Sequence, residues 1–473
     1  MKLTTSLVAA AFAFAVLAPS EAALHKRHQV LWEGADFMEA VAEAQKANPN
    51  AFPVYWFDQK VDHFSKHSPK FKQRYFLNDT YYKPGGPVLL YAPGEATARP
   101  VGGGQLRELA KATNGLMVSL EHRYYGESLP TKKSDFHGMR FLTVDNALAD
   151  MAYFIKHSKL PKVSKKTKWA VVGGSYPGVQ AAWMRQSYPD LVHAALASSA
   201  PVQAKEDFYE YDQAMSDALP CSGDLHKVSR YVDRILESGN RGKINKIKKM
   251  FHLQNITSDA DFAFAYTDIL AGLVQYYWPA KEDPIEQFCN SVKAAKTIED
   301  KIKVWGDYIK DKHDSDPDLL HFYDYDGMRK DLKHDNTKSW YWQTCLELGY
   351  FQTAPRGKSI RSRFCDLKQQ RGACKKIFGK SMRPDIAKVN RKHHGWNIKT
   401  SRIHFTDGEL DPWKRLSVNS DKAPTRKPTN NNPLSVIERG SHCTDLYNPT
   451  ASDSKSLKDA RKSEIEAFKR WLL

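Results

Sequence analysis

The sequence predicts an α/β fold built on a largely parallel sheet, with a mostly helical segment inserted into it. Short apolar or β-branched runs that look like buried strands alternate with helical patterns in the first half of the chain. Strands that alternate with helices favour a parallel sheet covered by helices. The predicted strand runs cover residues 87–92, 115–123, 169–175, 193–200, 402–411 and 434–442.

Two amphipathic helices are predicted beside these strands. Thr143 is a good N-cap for the first, whose apolar residues recur on one helical face. That face consists of Val144, Ala147, Leu148, Met151 and Ile155. The second helix ends the chain, and its predicted inward residues are Leu457, Ala460, Ile465, Phe468 and Leu472.

Residues 204–395 are predicted to form a helical cap rather than more of the sheet. A helical stripe lies at Val228, Tyr231, Val232, Ile235 and Leu236, and Gly239 is a C-terminal stop for that helix. Two further helix-like segments, 263–278 and 338–353, are rich in Trp and Tyr. The sheet domain is therefore expected in two parts, 23–203 and 396–473.

The first 22 residues are predicted to be a secretory signal peptide. Lys2 precedes an apolar run from Leu7 to Leu17, and small residues follow, with cleavage expected near Ser20 or Ala22. The apolar run is short for a membrane span. Lys26-Arg27 is either a dibasic processing site or a solvated charge cluster. We expect a secreted protein, with a vacuole or lysosome-like compartment as the alternative, and no membrane partner.

Secretion favours disulfide bonds among the six cysteines, five of which lie in the predicted cap. Cys365 and Cys374 are close enough in sequence to close a short loop. None of the cysteines shows a CxxC metal pattern, so no structural zinc site is expected. No metal and no cofactor are expected at the site. The sequons at Asn78 and Asn255 predict glycosylation at surface positions.

The formal net charge of +17 allows binding to polyanions. The lysines are scattered, however, and the chain contains no recognisable nucleic-acid motif. We therefore interpret the charge as a solvated surface and expect no nucleic-acid partner.

Ser175 lies in the stretch Gly173-Gly174-Ser175-Tyr176-Pro177, between a predicted strand and a predicted helix. A serine at such a turn is exposed at the carboxyl edge of a parallel sheet, as in the Gly-x-Ser-x-Gly nucleophile elbow. Here a proline replaces the last glycine of that pattern. The alternative interpretation is a tight turn with no catalytic role.

A nucleophilic serine needs a base, and the base needs an orienting carboxylate. Asp411 and His442 each follow a predicted strand and complete the chain order Ser, Asp, His. Within the same loop, Asp407 and Glu409 compete with Asp411. Asp411-Pro412 is also a possible helix start.

Several longer motifs resemble the secreted and lysosomal serine peptidase family of prolyl carboxypeptidase, dipeptidyl peptidase II and thymus-specific serine protease. The resemblance covers nearly the whole mature chain, and a fungal-type secreted member is expected. The matching motifs are FDQKVDHF (57–64), FKQRYFLND (71–79), KPGGPVLLY (83–91), EHRYYGESLP (121–130), RFLTVDNALAD (140–150), GGSY (173–176), WYWQTCLELGYFQT (340–353), DGELDPW (407–413) and GSHCTDL (440–446).

This resemblance implies an α/β-hydrolase fold with an inserted helical cap. It also implies that Ser175 is the nucleophile, Asp411 the orienting acid and His442 the base. For the oxyanion hole we expect the backbone N–H groups of Tyr176 and of Gly94 or a neighbour, because Pro93 has no N–H to donate.

The family typically cleaves peptides after proline near one chain end, so peptides that contain proline are the expected partners. Trp413 is then expected to line the proline pocket, with Trp342 either beside it or in the cap core. Glu95 either meets a substrate amine or braces its loop. Asp407 stands where the family usually has asparagine.

The resemblance leaves the exo mode open between a dipeptidyl peptidase and a carboxypeptidase, and it leaves a proline-specific endopeptidase as an alternative. An esterase and an inactive binding protein on the same fold are the more remote alternatives. The oligomeric state also stays open, a homodimer included.

Overall fold

The computed structural model describes residues 52–279 and 283–473, so the predicted signal peptide and Lys26-Arg27 lie outside the described residues. The described residues form ten β-strands. They are β1 (Tyr55–Lys60), β2 (Lys70–Asn78), β3 (Val88–Tyr91), β4 (Leu116–Leu120), β5 (Trp169–Gly174), β6 (Ala194–Ser198), β7 (Lys205–Asp207), β8 (Gly349–Phe351), β9 (Ile403–Gly408) and β10 (Leu434–Ile437).

Eight of these strands form one sheet in the order β1-β2-β4-β3-β5-β6-β9-β10. β2 pairs antiparallel with β1 and with β4, and every neighbouring pair from β4 to β10 is parallel. The strands β3 to β6 are buried along their whole length, which explains their continuous apolar runs. This sheet confirms the predicted α/β-hydrolase fold.

The helices divide into a set that covers the sheet and a set that forms the cap. The first set is α1 (Gly104–Thr113), α2 (Val144–His157), α3 (Tyr176–Ser187) and, at the end of the chain, α14 (Lys455–Leu472). The cap set is α4 (Glu210–Ala218), α5 (Ser222–Glu237), α6 (Arg241–Met250), α7 (Asp259–Gln275), α8 (Pro284–Ala294), α9 (Ile298–Ser315), α10 (Tyr325–Lys330), α11 (Asn336–Gln343), α12 (Leu367–Phe378) and α13 (Ile386–His393). Shorter helical turns lie at Gly138–Phe141, Leu319–Tyr323, Thr344–Leu348, Gly395–Asn397, Pro412–Leu416 and Thr444–Leu446.

The sheet is covered on both faces. α1 and α14 bury Leu109 and Phe468 against one face, and α2 and α3 bury Leu148 and Trp183 against the other. This three-layer arrangement places the carboxyl ends of the parallel strands, and the loops that follow them, at one edge of the sheet.

Local signals in the sequence account for several helix ends. The Thr143 hydroxyl accepts a hydrogen bond from the Asn146 N–H at 3.2 Å, which confirms the predicted N-cap of α2. α5 ends at Glu237, and Gly239 follows with φ of +64°, a conformation that suits glycine. In α14, Leu457, Ala460, Phe468 and Leu472 are buried as predicted, and Ile465 is half-buried.

The cap helices α4 to α13 lie in the chain between β6 and β9. Within this segment, the short strands β7 and β8 form a parallel pair in which Lys205 lies opposite Gly349. The apolar core runs without a break from the sheet into the cap, because Val171 of β5 and Trp305 of α9 belong to the same buried cluster. We propose residues 204 and 395 as the limits of the cap.

The prediction of disulfide bonds among the cysteines is confirmed, since Cys221 pairs with Cys289 and Cys345 pairs with Cys374. The short loop that the spacing of Cys365 and Cys374 allowed does not form, and Cys365 and Cys443 are buried free thiols. Proximity in sequence did not identify the partner of Cys374, because that partner, Cys345, lies in the helical turn Thr344–Leu348 and reaches α12 only in the folded structure.

Candidate active site

Ser175 occupies a strained turn between β5 and α3. Its φ of +63° and ψ of −131° are rare for a residue with a side chain, and such strain is typical of a nucleophile elbow. The neighbouring glycines are needed for space. A Cβ on Gly174 would lie 2.7 Å from Sγ of Cys443, and one on Gly178 would lie 2.6 Å from the Ser198 carbonyl oxygen. The turn therefore keeps the small residues that an elbow requires.

Pro177 stands in the first turn of α3, where its missing N–H is not needed for the helix. Its ring packs against Gly94 in the loop after β3, and a Cβ on Gly94 would collide with that ring. Gly94 also has φ of +65°, which favours glycine. Pro177 therefore contacts the loop that was expected to supply an oxyanion donor, a contact that the sequence did not reveal.

His442 and Asp411 face each other across the carboxyl edge of the sheet. Nδ1 of His442 lies 3.0 Å from Oδ2 and 3.1 Å from Oδ1 of Asp411. Both residues are almost completely buried, at 4% and 1% exposed. Burial opposes the charge on His442, but the neighbouring Asp411 carboxylate raises the pKa of His442 well above its usual value. In the neutral form of His442, this contact holds the Nδ1–H tautomer and leaves Nε2 as the acceptor.

The same loop places the His442 ring near the serine elbow. Cys443, the next residue, donates its N–H to Oγ of Ser199 at 2.8 Å, and its Sγ packs beside Gly174. The structure thus joins His442 to Asp411 and packs the residue after His442 against the glycine before Ser175.

Asp407, Glu409 and Asp411, the three candidates for the orienting acid, make different contacts in the structure. Asp411 combines two predicted roles, because it contacts His442 and its Oδ1 accepts the Trp413 N–H at 2.9 Å as the cap of a short helical turn. Glu409 is exposed and accepts the Arg439 N–H. Only Asp411 faces the histidine.

Asp407 is a second buried carboxylate, near the end of β9 and four residues before Asp411. Its Oδ2 accepts hydrogen bonds from Oγ of Ser417 at 2.9 Å and Nδ2 of Asn419 at 2.8 Å. Its Oδ1 is buried and receives no hydrogen bond from residues 52–279 or 283–473. Burial, with the charge of Asp411 in second place, raises the pKa of Asp407 to about 7.

Tyr176 is the first residue of α3, so its backbone N–H has no acceptor within the helix. Its side chain is held by His122 of the EHRYYG motif. Nδ1 of His122 donates to the Arg123 carbonyl at 2.8 Å, which leaves Nε2 to accept from the Tyr176 hydroxyl at 3.2 Å. Gln180 donates to the same hydroxyl at 3.3 Å. Burial lowers the pKa of His122 to about 4, so this histidine is neutral at physiological pH.

The EHRYYG motif did not predict a role for His122. The signal in the sequence was a histidine two residues after a buried strand, at the edge of the sheet where the elbow lies.

The tryptophans behave differently from one another. Trp413 packs on His442, with 6.2 Å between the ring centroids, and on Tyr350 and Phe208. Trp342 is instead buried between the cap and residues 136–142, 2% exposed, with Nε1 donating to the Leu142 carbonyl at 2.9 Å. The structure does not bring Trp342 to the site.

Trp340, two residues before Trp342, is half-buried, and its ring centroid lies 6.0 Å from that of Tyr176. Tyr276 lies edge-on to His442 at 6.5 Å. The cap therefore contributes two aromatic rings to the surroundings of the triad.

Glu95 follows Gly94 and lies in the same region. No other side chain of the described residues donates a hydrogen bond to its carboxylate, which accepts its own backbone N–H. Burial raises the pKa of Glu95 to about 7, and the charge of His442 opposes that rise. Among the described residues, Glu95 is thus a carboxylate with no ion pair or side-chain donor, near enough to His442 to feel its charge.

Comparison with known proteins assigns this chain to a family. The profile described as "Serine carboxypeptidase S28" matches residues 59–464. The chain belongs to the S28 peptidase family. It is a serine-type peptidase, and the resemblance drawn from its motifs is confirmed.

Relatives of this S28 peptidase cover most of its length. It is 31% identical to the "Probable extracellular serine carboxypeptidase" of Arthroderma benhamiae over 91% of this chain and 69% of the relative. It is 30% identical to the human "Lysosomal Pro-X carboxypeptidase" over 90% of both chains. It is 28% identical to the human "Thymus-specific serine protease" over 89% of this chain and 86% of the relative.

Among solved structures, an acetylester hydrolase from Corynebacterium glutamicum is similar at 12% identity, with a TM-score of 0.39 over 88% of this chain and 96% of the other. That likeness is too distant to add to the fold or to the function.

The two sequons of the S28 peptidase differ in their surroundings. Asn255 is exposed in the turn between α6 and α7. Asn78 is half-buried at the end of β2, where Nδ2 donates to the Val101 carbonyl at 2.7 Å.

Residues 52–279 and 283–473 of the S28 peptidase contain no cluster of three or more metal-ligating side chains. In the same residues, no helix combines the length and the apolar character that a bilayer crossing requires.

Proposed function

We propose that this S28 peptidase is a secreted exopeptidase that hydrolyses peptides after proline through Ser175, His442 and Asp411. The observation that carries the proposal is the buried His442–Asp411 contact beside the strained Ser175 elbow. The geometry matches the chemistry, because a serine hydroxyl becomes a good nucleophile only beside an oriented base.

In the proposed mechanism, Nε2 of His442 accepts the proton of the Ser175 hydroxyl as Oγ attacks the scissile carbonyl. Asp411 holds the imidazole by Nδ1 and stabilises the imidazolium that forms. The backbone N–H groups of Tyr176 and Gly94 are the proposed oxyanion donors. His442 then gives its proton to the leaving amine, and water releases the acyl group from Ser175.

The proposed specificity rests on the aromatic surface beside His442. A proline ring is flat and apolar, and Trp413 offers a matching face next to the base. Cap residue Trp340 packs on Tyr176, and cap residue Tyr276 lies edge-on to His442. Trp342 is not part of the proposed pocket, because it is buried against Phe136 and Leu142.

Two observations favour different exo modes. The name of the human Pro-X relative supports a carboxypeptidase, which releases the residue after proline. The unpaired Glu95 carboxylate supports a dipeptidyl peptidase, because a carboxylate there would bind a substrate α-ammonium group. The relatives with extracellular and lysosomal names support secretion, and we propose Asn255, rather than the engaged Asn78, as the principal glycan site.

One experiment tests these assignments together. The purified enzyme is given a free-amine Xaa-Pro reporter, a blocked Z-Pro-Xaa peptide, a peptide blocked at both ends with an internal proline, and a simple ester. Cleavage of only the first indicates the dipeptidyl mode, and cleavage of only the second indicates the carboxypeptidase mode. Rapid cleavage of the third would contradict an exopeptidase, and undiminished peptide cleavage by Ser175→Ala would contradict the mechanism.

A further inference from the structure

Gln275, the last residue of cap helix α7, contacts the catalytic loops with both its backbone and its side chain. Its carbonyl oxygen accepts the His442 N–H at 3.1 Å and the Ser441 hydroxyl at 2.9 Å. Its Oε1 accepts Nε1–H of Trp413 at 3.0 Å and the Tyr211 hydroxyl at 2.6 Å. One residue of the cap therefore joins the base and the proposed pocket wall.

The side-chain contacts use the full acceptor capacity of an amide oxygen, which has two lone pairs. Both donors are buried, since Trp413 is 8% and Tyr211 is 2% exposed. Buried donors that lose an acceptor raise the free energy of the folded state, so these two hydrogen bonds favour one arrangement of the Trp413 and Tyr211 rings.

Aromatic packing alone does not define the plane of the Trp413 indole. Its neighbours Phe208, Tyr350 and His442 lie at centroid distances of 5.5, 5.4 and 6.2 Å and contact it at varied angles. Such contacts tolerate small rotations. The hydrogen bond from Nε1 to Gln275 is directional and removes that freedom.

We propose that Gln275 is a positioning residue that sets the preference for proline by holding the Trp413 indole in place. This inference rests on the proposed function. It assigns to the cap, rather than to the hydrolase core, the control of the specificity pocket.

Gln275→Met tests the inference, because His442 bonds to the backbone of Gln275 whereas Trp413 bonds to its side chain. Methionine has a similar length but no amide oxygen, and the backbone carbonyl that holds His442 is unchanged. For the proline peptide that the wild type cleaves best, we expect KM to rise about tenfold and kcat to stay within about threefold. The ratio of kcat/KM for that peptide to kcat/KM for its alanine analogue should fall about tenfold.

Two further variants and a labelling assay distinguish a positioning role from a general loss of structure. Gln275→Glu keeps an acceptor for both donors and should restore most of the wild-type ratio. Gln213→Met changes an exposed glutamine of α4 and should leave the ratio unaltered. A fluorophosphonate that labels Ser175 should react at the wild-type rate with Gln275→Met, because the triad is intact.

The outcomes distinguish the two levels of the proposal. A wild type that does not prefer proline would overturn the proposed specificity and this inference with it. A wild type that prefers proline, together with an unaltered ratio in Gln275→Met, would overturn only the role of Gln275. Equal losses in kcat and in labelling would show that the side chain supports the triad and not the pocket.

Discussion

Nδ1 of His442 lies 3.0 Å from Oδ2 of Asp411, and the two residues are almost completely buried between the β9 loop and the loop after β10. A carboxylate in this position selects the tautomer whose Nε2 accepts a proton.

We expect Asp411→Asn to lower kcat by about 10³- to 10⁴-fold, because an asparagine amide can donate to Nδ1 and favour the wrong tautomer. KM and the thermal midpoint should change little. Glu409→Gln, in the same loop but exposed, is the matched control and should stay within about threefold of the wild type. Full activity of Asp411→Asn in steady-state assays would remove this residue from the mechanism.

Asp407 is expected to affect the pH dependence of the reaction. Above about pH 7 it adds a second negative charge beside Asp411, and that charge favours the protonated form of His442. Asp407→Asn removes this charge, so the acid limb of the kcat/KM profile should move to lower pH. An acid limb that stays in place or moves to higher pH would contradict this coupling.

Asp407→Asn should also change how the thermal stability depends on pH. The pKa of Asp407 is raised by burial from 3.8 to about 7, so the folded state keeps a proton that the unfolded chain loses between pH 4 and 7. The wild type is therefore destabilised by this group as pH rises through that window. The thermal midpoint of Asp407→Asn minus that of the wild type should increase from pH 4 to pH 8, whereas the exposed control Asp421→Asn should show no such trend.

The hydroxyl of Tyr176 is expected to help position the backbone N–H of that residue. Tyr176→Phe removes the hydrogen bonds with His122 and Gln180 and keeps the ring. We expect kcat to fall about tenfold with KM unchanged, because the oxyanion donor acts in the transition state. His122 does not titrate near neutral pH, so the shape of the pH profile should be preserved. Tyr188→Phe at the end of α3 is the control, and a rise in KM alone would contradict the assignment.

The contact between Pro177 and Gly94 predicts a strong effect of a single methyl group. Gly94→Ala would force a Cβ into the Pro177 ring at a backbone φ of +65°, and we expect kcat/KM to fall about 100-fold. Gly85→Ala tests backbone strain alone, since Gly85 has φ of +93° with open space around it, and its activity should be unchanged.

Partial rescue in the Gly94→Ala/Pro177→Gly double variant would show that the clash, and not only the strain, disturbs the loop. Pro177→Gly by itself should stay within about tenfold of the wild type, because the Tyr176 N–H is retained. Its total loss of activity would show that the proline shapes the oxyanion hole.

Much of the fold was predictable because it depends on local patterns. Continuous apolar runs predicted the strands of the parallel sheet, and the Thr143 cap and the Gly239 stop predicted where two helices begin and end. The long motifs predicted the family. The order of Ser175, Asp411 and His442 along the chain, each after a strand, predicted which residues meet at one edge of the sheet.

Other features could not be read from local patterns, because they depend on contacts between distant segments. Cys374 pairs with Cys345 and not with its sequence neighbour Cys365. Trp342 and Trp340 have nearly the same sequence context, but their different positions around α11 bury Trp342 between the cap and residues 136–142 and leave Trp340 near Tyr176.

The sequence by itself determined the fold class, the family and the identity of the triad candidates, because strand periodicity and motif order are properties of neighbouring residues. Only the tertiary structure decided which of three carboxylates faces His442, that Pro177 packs on Gly94, and that Gln275 of the cap holds both Trp413 and the His442 backbone. These contacts join segments far apart in the chain, and their geometry follows from how the cap packs on the sheet.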